Sequence, residues 1–338
     1  MPVPPHVDAG SADGAEQVRW WQKIFTLNEI AGDTYETVPI GSGLPRLYGG
    51  QVAAQSLLAA AATVDSDRVA HSLHTSFLYA GDDARAVSYV VNRVRDSRSM
   101  STRVVIARQH GRMLATSIAS FHAAPSGDAP PPIDHEWRPT QIEPVQPLPD
   151  PDALPSRWTS LSDRYGNDLP DGVPRRWPID LRYVDHTPWS DSAAPPRNRL
   201  WLKAIDYPRH IASADPAAVA FATDLPMFEP VYFPTGMAWR DMVGHTTLAG
   251  STLDHSVWFH RPARVDDWLL LEQFAPIAHG YRAFCRAELR SRSGQLMVSI
   301  AQEMVFIAPR THRPDAPSER KVTRRDDPTC VARVTISR

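Results

Sequence analysis

The chain has 338 residues, enough for two ordinary domains that each bury a core. Hydrophobic residues make up 42% and charged residues 22%, which excludes wholesale disorder, and a formal net charge of −2 excludes the basic field of a nucleic-acid binder. Two cysteines, Cys285 and Cys330, are too few for a disulfide framework, and no apolar run reaches the ~20 residues of a membrane span, so a reduced, cytoplasmic setting is expected.

Residues 1–17 are small and acidic, lack the basic-then-apolar pattern of a signal peptide, and read as a disordered lead. From Glu16 to Leu27 apolar residues fall at helical spacing, with Val18, Trp21, Ile24 and Phe25 on one side. Thr34 to Ile40 alternates as a strand. Gly49 and Gly50 then open a helix from Gln51 to Val64, whose many alanines let it lie very close to a sheet. Strands follow at Val69–Leu78, Ala86–Arg95, Ser99–Gln109 and Arg112–His122, with turn residues between them. The ten prolines between Pro125 and Pro155 mark an extended linker or disordered spacer. A second unit begins near Trp177, with strands at Ile179–His186 and Arg199–Ala204 and a helical segment at Pro216–Ala222. Four more strands run over Ser251–His260, Trp268–Ile277, Arg282–Ser291 and Leu296–Ile307. Beyond Pro309 the tail is basic and reads as poorly ordered; its last residues, Ile336-Ser337-Arg338, are not a peroxisomal address.

The segment Ala70 to Asp82 returns, altered, at Gly250 to Asp267, and Gly111 to Phe121 returns at Gly294 to Met304, an offset of about 180 residues at both ends. Each unit is then a strand, a helix and an antiparallel meander, which fits a curved sheet wrapped around a central helix. Pairing two such units through one continuous sheet covers an edge that either alone would leave open. In this alignment Ser72 faces Thr252 and Ser120 faces Gln302. The second copy carries the extra hydrogen-bonding groups, so one working half and one supporting half are expected.

These residues resemble the type II acyl-CoA thioesterases, which carry two hotdog folds in one chain. The likeness rests on Arg46-Leu47-Tyr48-Gly49-Gly50-Gln51-Val52-Ala53-Ala54-Gln55, on His71-Ser72-Leu73-His74 and on Phe77 to Asp82. It continues through Arg95 to Arg103, the specific string Leu253-Asp254-His255-Ser256-Val257-Trp258-Phe259-His260, and Ser299 to Glu303. The resemblance implies an α+β tandem hotdog: an N-terminal hotdog over 18–123, a proline-rich linker over 124–176, a C-terminal hotdog with the catalytic residues over 177–308, and a basic tail over 309–338. It implies an acyl-CoA thioesterase that hydrolyses medium- or long-chain substrates without a cofactor or metal and assembles as a dimer or tetramer. It further implies that an aspartate, a threonine and a glutamine hold the attacking water, at Asp224, Thr252 and Gln302. Ser97, Met100, Pro226 and Met304 depart from the family pattern and leave acyl specificity open.

Thioester hydrolysis needs an oriented water, a proton acceptor and donors for the developing oxyanion; a thiolate leaves readily, so no covalent nucleophile is required. Asp224 suits the acceptor, with Thr252 and Gln302 supplying further hydrogen bonds. Singly, Asp224 would serve as well as a turn cap and Gln302 as a satisfied strand residue. The set of three carries the expectation. Gly50 and Arg98 are taken as substrate-binding positions, the first for close approach of a pantetheine arm, the second, with Arg95, Arg103 and Arg261 as fellow candidates, for the phosphates of coenzyme A. His71 and His74 read as histidines satisfied within the core or a hairpin, and Trp20, Trp21 and Trp258 as core. The absence of Gly-x-Ser-x-Gly speaks against a serine hydrolase. Two other readings stay open: a hotdog enoyl-CoA hydratase, which would need an acid–base pair such as Asp254 and His255, and a non-catalytic acyl-CoA-binding module. Neighbours on one strand face opposite ways, which weighs against that pair.

Overall fold

Alternating burial runs along the strands, as at Met100–Gln109, where partly and fully buried positions alternate without a break; a strand patterned this way lays one face on a packed layer. A computed structural model describes residues 20–42, 44, 46–124, 133–136, 148–169, 177–208, 213–237 and 249–307. The lead, the tail and much of the proline-rich span read from the sequence lie outside the described residues.

The first half contains β1 (Leu27–Ala31), β2 (Thr34–Thr37), α1 (Gly49–Ala61), β3 (Arg68–Phe77), β4 (Ser88–Asp96), β5 (Met100–Gln109) and β6 (Arg112–Ala123). After α2 (Arg157–Tyr165) come β7 (Ile179–Tyr183), β8 (Arg197–Ala204), α3 (Ala214–Asp224), α4 (Glu229–Tyr232), β9 (Ala249–Phe259), β10 (Leu269–His279), β11 (Arg282–Ser291) and β12 (Leu296–Ile307). Among the described residues, the twelve strands form one sheet in the order β1-β2-β4-β5-β6-β3-β9-β12-β11-β10-β8-β7. Each half curls around its own helix, which is the tandem hotdog architecture.

The halves join where β3 and β9 pair antiparallel, from Ser72 opposite Trp258 to Ser76 opposite Asp254. Thr75 faces His255 in this ladder, and these are the residues that the 180-residue offset equates. A pseudo-twofold axis therefore passes between them. Around it α1 packs on α3. Nearly every residue of α1 is buried, as is Ala217 to Asp224 of α3. Helices buried on all sides are apolar all round, and alanines at 53, 54, 59, 60, 217, 218 and 220 let the two backbones approach.

Several elements differ from the sequence reading. Strand β1 was hidden because its residues after Leu27 are exposed and show no alternation; its turn is set by Asp33 at φ 54°, held by both oxygens to Arg93 at 2.7 and 2.8 Å. Residues 20–25 are helical, but they cross over to close the core of the second half: Trp21 Nε1 donates to the Ile205 carbonyl at 2.8 Å, and its ring meets Phe221 edge-on. Within the span read as linker, Ser156 caps α2 through the Thr159 N–H. Arg157 of α2 reaches Glu229 Oε1 of α4 at 2.8 Å, while Glu136 holds Arg290 of β11 at 2.9 Å. These described parts of the span pack on the second half. Trp20 and Trp21 are core, but Trp258 is 38% exposed, because on β9 it alternates with the buried His255 and Val257 and so points to the outer face.

Candidate active site

Asp224 ends α3, and Pro226 forbids continuation of the same helix, so the chain tightens into a 3₁₀ turn over Leu225–Phe228. That turn is pinned from two sides. Gln273 Nε2 of β10 donates to the Pro226 carbonyl at 2.7 Å. From the other half, Tyr48 Oη donates to the Phe221 carbonyl at 2.7 Å and accepts from the Leu225 N–H at 3.0 Å. Tyr48 thus brackets Asp224 along the backbone.

The Asp224 carboxylate is 2% exposed, and each of its oxygens holds one hydrogen bond. Its Oδ2 accepts from the Gly50 N–H at 2.7 Å, and its Oδ1 accepts from Thr252 Oγ1 at 2.9 Å. Helix α1 has no side-chain cap from Tyr48 and no acidic residue in its first turn; Asp224 supplies that cap across the molecule. The positive end of α1 favours the carboxylate, whereas the negative end of α3, on which it sits, does not. Burial pushes the Asp224 carboxyl above the usual carboxylate range, against the pull of His255, Thr252, Gly50 and Gln302.

Thr252 reaches this point through a β-bulge. The β9–β12 ladder pairs Glu303 with Asp254 and then Met304 with Thr252, leaving Leu253 as the extra residue. The insertion places Thr252 on the same face as His255, which strict alternation would forbid. Gln302, fully buried on β12, donates from Nε2 to the Asp224 main-chain carbonyl at 3.3 Å and to Thr252 Oγ1 at 3.4 Å. The structure therefore brings Asp224, Thr252 and Gln302 into one hydrogen-bonded group.

His255 joins that group and was set aside in the sequence reading. Its Nδ1 lies 2.8 Å from Gln302 Oε1 and its Nε2 3.2 Å from Thr223 Oγ1. Burial pulls the imidazole below its usual range, opposed by the Asp224 charge, Gln302, Asp254 and the Ala220 carbonyl. Asp254 lies on the other face, where its carboxylate accepts from the Glu303 N–H at 3.2 Å. The two do not share a pocket. The signal for His255 was available: the residue directly before Ser256 in the repeat stands opposite Gln302 once the strands are paired.

The remaining candidates fall elsewhere. Gly50 touches Asp224 rather than open space, and a Cβ there would lie 2.6 Å from the Phe221 carbonyl. Arg98 sits in the β4–β5 turn, where its carbonyl accepts from Arg68 Nη2 at 3.1 Å. That turn adjoins the far end of α1, since the neighbouring Arg103 bonds Thr63 at 2.8 Å; along a 13-residue helix this is ~20 Å from Gly50. Arg103 is itself buried against Thr63 and Asp96, and Arg261 holds Glu136 and the Leu296 carbonyl. His71 bonds Ser120 Oγ at 2.9 Å, and His74 stacks edge-on to Trp258, so neither reaches Asp224. Strand pairing also revises the internal alignment. Ser117 stands opposite Thr75 as Gln302 stands opposite His255, so the counterpart of Gln302 is Ser117 and not Ser120.

Among the described residues no group of three or more His, Cys, Asp or Glu is arranged to hold a metal ion, and no helix is long and apolar enough to cross a membrane.

Comparison with known proteins matches both halves. The acyl-CoA thioesterase N-terminal domain model covers residues 39–122, and the C-terminal domain model covers 142–306, beginning inside the span read as linker. The human protein named acyl-coenzyme A thioesterase 8 is 34% identical over 269 residues, covering 77% of this chain and 80% of its own length. Acyl-CoA thioesterase 2 of Haemophilus influenzae is 26% identical, covering 77% and 87%. Among solved structures, the acyl-CoA thioesterase II TesB2 from Mycobacterium marinum superposes with a TM-score of 0.65 at 28% identity, covering 86% of this chain and 99% of that one. With both domain models matched in order, the chain belongs to the acyl-CoA thioesterase family and is a thioester hydrolase of the double-hotdog type.

Proposed function

We propose that Asp224, Thr252 and Gln302 hold the hydrolytic water and that Asp224 takes its proton. The observation that carries this is the position of Thr252 Oγ1, 2.9 Å from Asp224 Oδ1 and 3.4 Å from Gln302 Nε2. One water touching Thr252 is then within reach of both partners. The water oxygen attacks the thioester carbonyl carbon, its proton passes to the Asp224 carboxylate, and the C–S bond breaks to release the coenzyme A thiolate. Backbone N–H groups in the first turn of α1, aligned with that of Gly50, face the developing oxyanion.

Medium- and long-chain acyl-CoA are the proposed substrates, with the tail in an apolar channel between the two units. Arg98, at the far end of α1, would meet only the distal phosphate end of coenzyme A. The exposed Ile118, Trp258 and Phe284 on the sheet support association of copies into a dimer or tetramer, which sedimentation would read. A cytoplasmic setting completes the reading.

Thiol release measured across acyl chain lengths tests the proposal. Turnover that rises with chain length supports it; tight binding without thiol release points instead to a binding module. Hydration of an enoyl-CoA would point to the hydratase, for which the opposed faces of Asp254 and His255 leave no common pocket.

A further inference from the structure

We propose that His255 is a positioning residue for the thioesterase site: its Nδ1–H fixes which end of the Gln302 amide faces Asp224 and Thr252. The role rests on the reading of Asp224, Thr252 and Gln302 given above.

The two ends of a glutamine amide are alike in shape and opposite in chemistry. Only the NH₂ end can serve a site built around an aspartate. In this structure that end faces the Asp224 main-chain carbonyl at 3.3 Å, which can only accept, and Thr252 Oγ1 at 3.4 Å. Reversing the amide would set two carbonyl oxygens against each other and leave Thr252 Oγ1 without this donor. The Oε1 end then needs a donor of its own, and the atom 2.8 Å away is His255 Nδ1. Nδ1 must carry the proton.

His255 is itself fixed. It is fully buried, and its Nε2 lies 3.2 Å from Thr223 Oγ1, whose single proton is shared with the Val219 carbonyl at 2.8 Å. Thr223 and Asp224 are consecutive in the last turn of α3. The contacts therefore close into a ring, Thr223 to His255 to Gln302 to Thr252 to Asp224, which ties α3, β9 and β12 together. A closed set of contacts holds its members in one geometry better than isolated pairs would, and the polarity within it is set where Gln302 meets the Asp224 carbonyl. The first half shows the contrast. Its matching pair, Thr75 Oγ1 and Ser117 Oγ at 2.9 Å, consists of two hydroxyls, either of which can donate, so it imposes no direction.

The test is a double-mutant cycle in the full chain, with folding followed by thermal melting. His255→Leu should lower kcat by about 10²-fold, the scale of a misplaced catalytic group, with KM within about twofold. Combined with Gln302→Ala it should be no slower than Gln302→Ala alone, since it acts only through that amide. His255→Asn, which returns an amide N–H to the Nδ1 position, should recover kcat to within about tenfold of the unmodified chain. If Gln302→Ala keeps the full rate, the reading of the site fails. If Gln302→Ala is slow but His255→Leu is fast, or the two losses multiply, the role of His255 alone is overturned. Should His255→Leu not fold, His255→Asn and the ring-nitrogen and carbon NMR signals of His255 in the unmodified chain decide. A proton on Nδ1 supports the proposal, and a neutral ring protonated only at Nε2 overturns it.

Discussion

A β-carbon at Gly49 would lie 2.8 Å from Asp224 Oδ2 and 3.3 Å from Phe77 Cζ. The start of one half's helix is thus built directly against the carboxylate of the other half. Ordinarily an alanine in a helix is favoured over glycine by roughly 0.5–1 kcal/mol. Here the added methyl must move Asp224, which reverses the sign. Gly49→Ala should cost about 1–3 kcal/mol of stability, the usual price of overpacking, and lower kcat by about 10²-fold through misplacement. Gly32→Ala meets nothing within 4 Å and should leave both melting temperature and kcat unchanged. A Gly49→Ala enzyme with full kcat would show that Asp224 tolerates displacement and so is not poised for chemistry.

Asp224→Asn should separate stability from activity. Burial holds the folded carboxyl above the ordinary aspartate range. A group raised in the folded state contributes stability below its unfolded pKa and loses it as pH rises through the folded pKa. At neutral pH the folded chain therefore carries the cost of a buried charge. An asparagine does not: its Oδ1 can take the Gly50 N–H while its amide meets Thr252. The variant should melt at or above the temperature of the unmodified chain at pH 7, with the difference shrinking as pH falls toward 4. Its kcat should drop by about 10²–10⁴-fold, and the acid limb of the pH–rate profile should vanish with it. A folded variant with near-normal turnover would remove Asp224 from the mechanism.

Much of this arrangement was legible in the residues. The repeat pointed to two hotdog units because strands with one buried face leave an alternating pattern, and its 180-residue offset equates Thr75 with His255, a pair that only the strand register puts at the seam. Asp224, Thr252 and Gln302 could be named through the resemblance, but not their contact, because that depends on a bulge at Leu253 and a turn forced by Pro226. His255 was passed over because it was weighed with its neighbour Asp254, when its partners lie across the sheet and on α3. Helix α2 and the anchoring of residues 20–25 in the second core were hidden for another reason. Both are fixed by long-range contacts, such as Arg157 with Glu229 and Trp21 with Ile205, that local periodicity does not encode.

If one half works and the other supports it, the polar pair of the first half should be dispensable. Thr75 and Ser117 bond each other while buried, so removing one would strand its partner. Removing both with Thr75→Val and Ser117→Ala replaces the pair by apolar groups of similar shape, an exchange that is close to neutral. The double variant should keep kcat within about twofold of the unmodified chain. A loss beyond about tenfold would mean the pair helps the working site across the β3–β9 seam, and the division of labour between halves would have to be redrawn.

Tyr48→Phe probes whether the first half orients Asp224 or merely packs against it. The hydroxyl donates to the Phe221 carbonyl and accepts from the Leu225 N–H, so its loss leaves a buried acceptor and a partly buried donor on either side of Asp224. That should destabilise the fold by about 1–3 kcal/mol. Stability alone does not distinguish the two roles, so a matched control is needed. Tyr89 Oη is also buried and donates to Gln55 Oε1 at 2.9 Å, away from Asp224, and Tyr89→Phe should cost a similar amount. Assayed well below both melting temperatures, Tyr48→Phe should lower kcat by about tenfold or more while Tyr89→Phe leaves it unchanged, because only the first loosens the turn that aims the carboxylate. Equal kcat in the two variants would reduce Tyr48 to packing and leave the Gly50 N–H as the contact through which the first half governs Asp224.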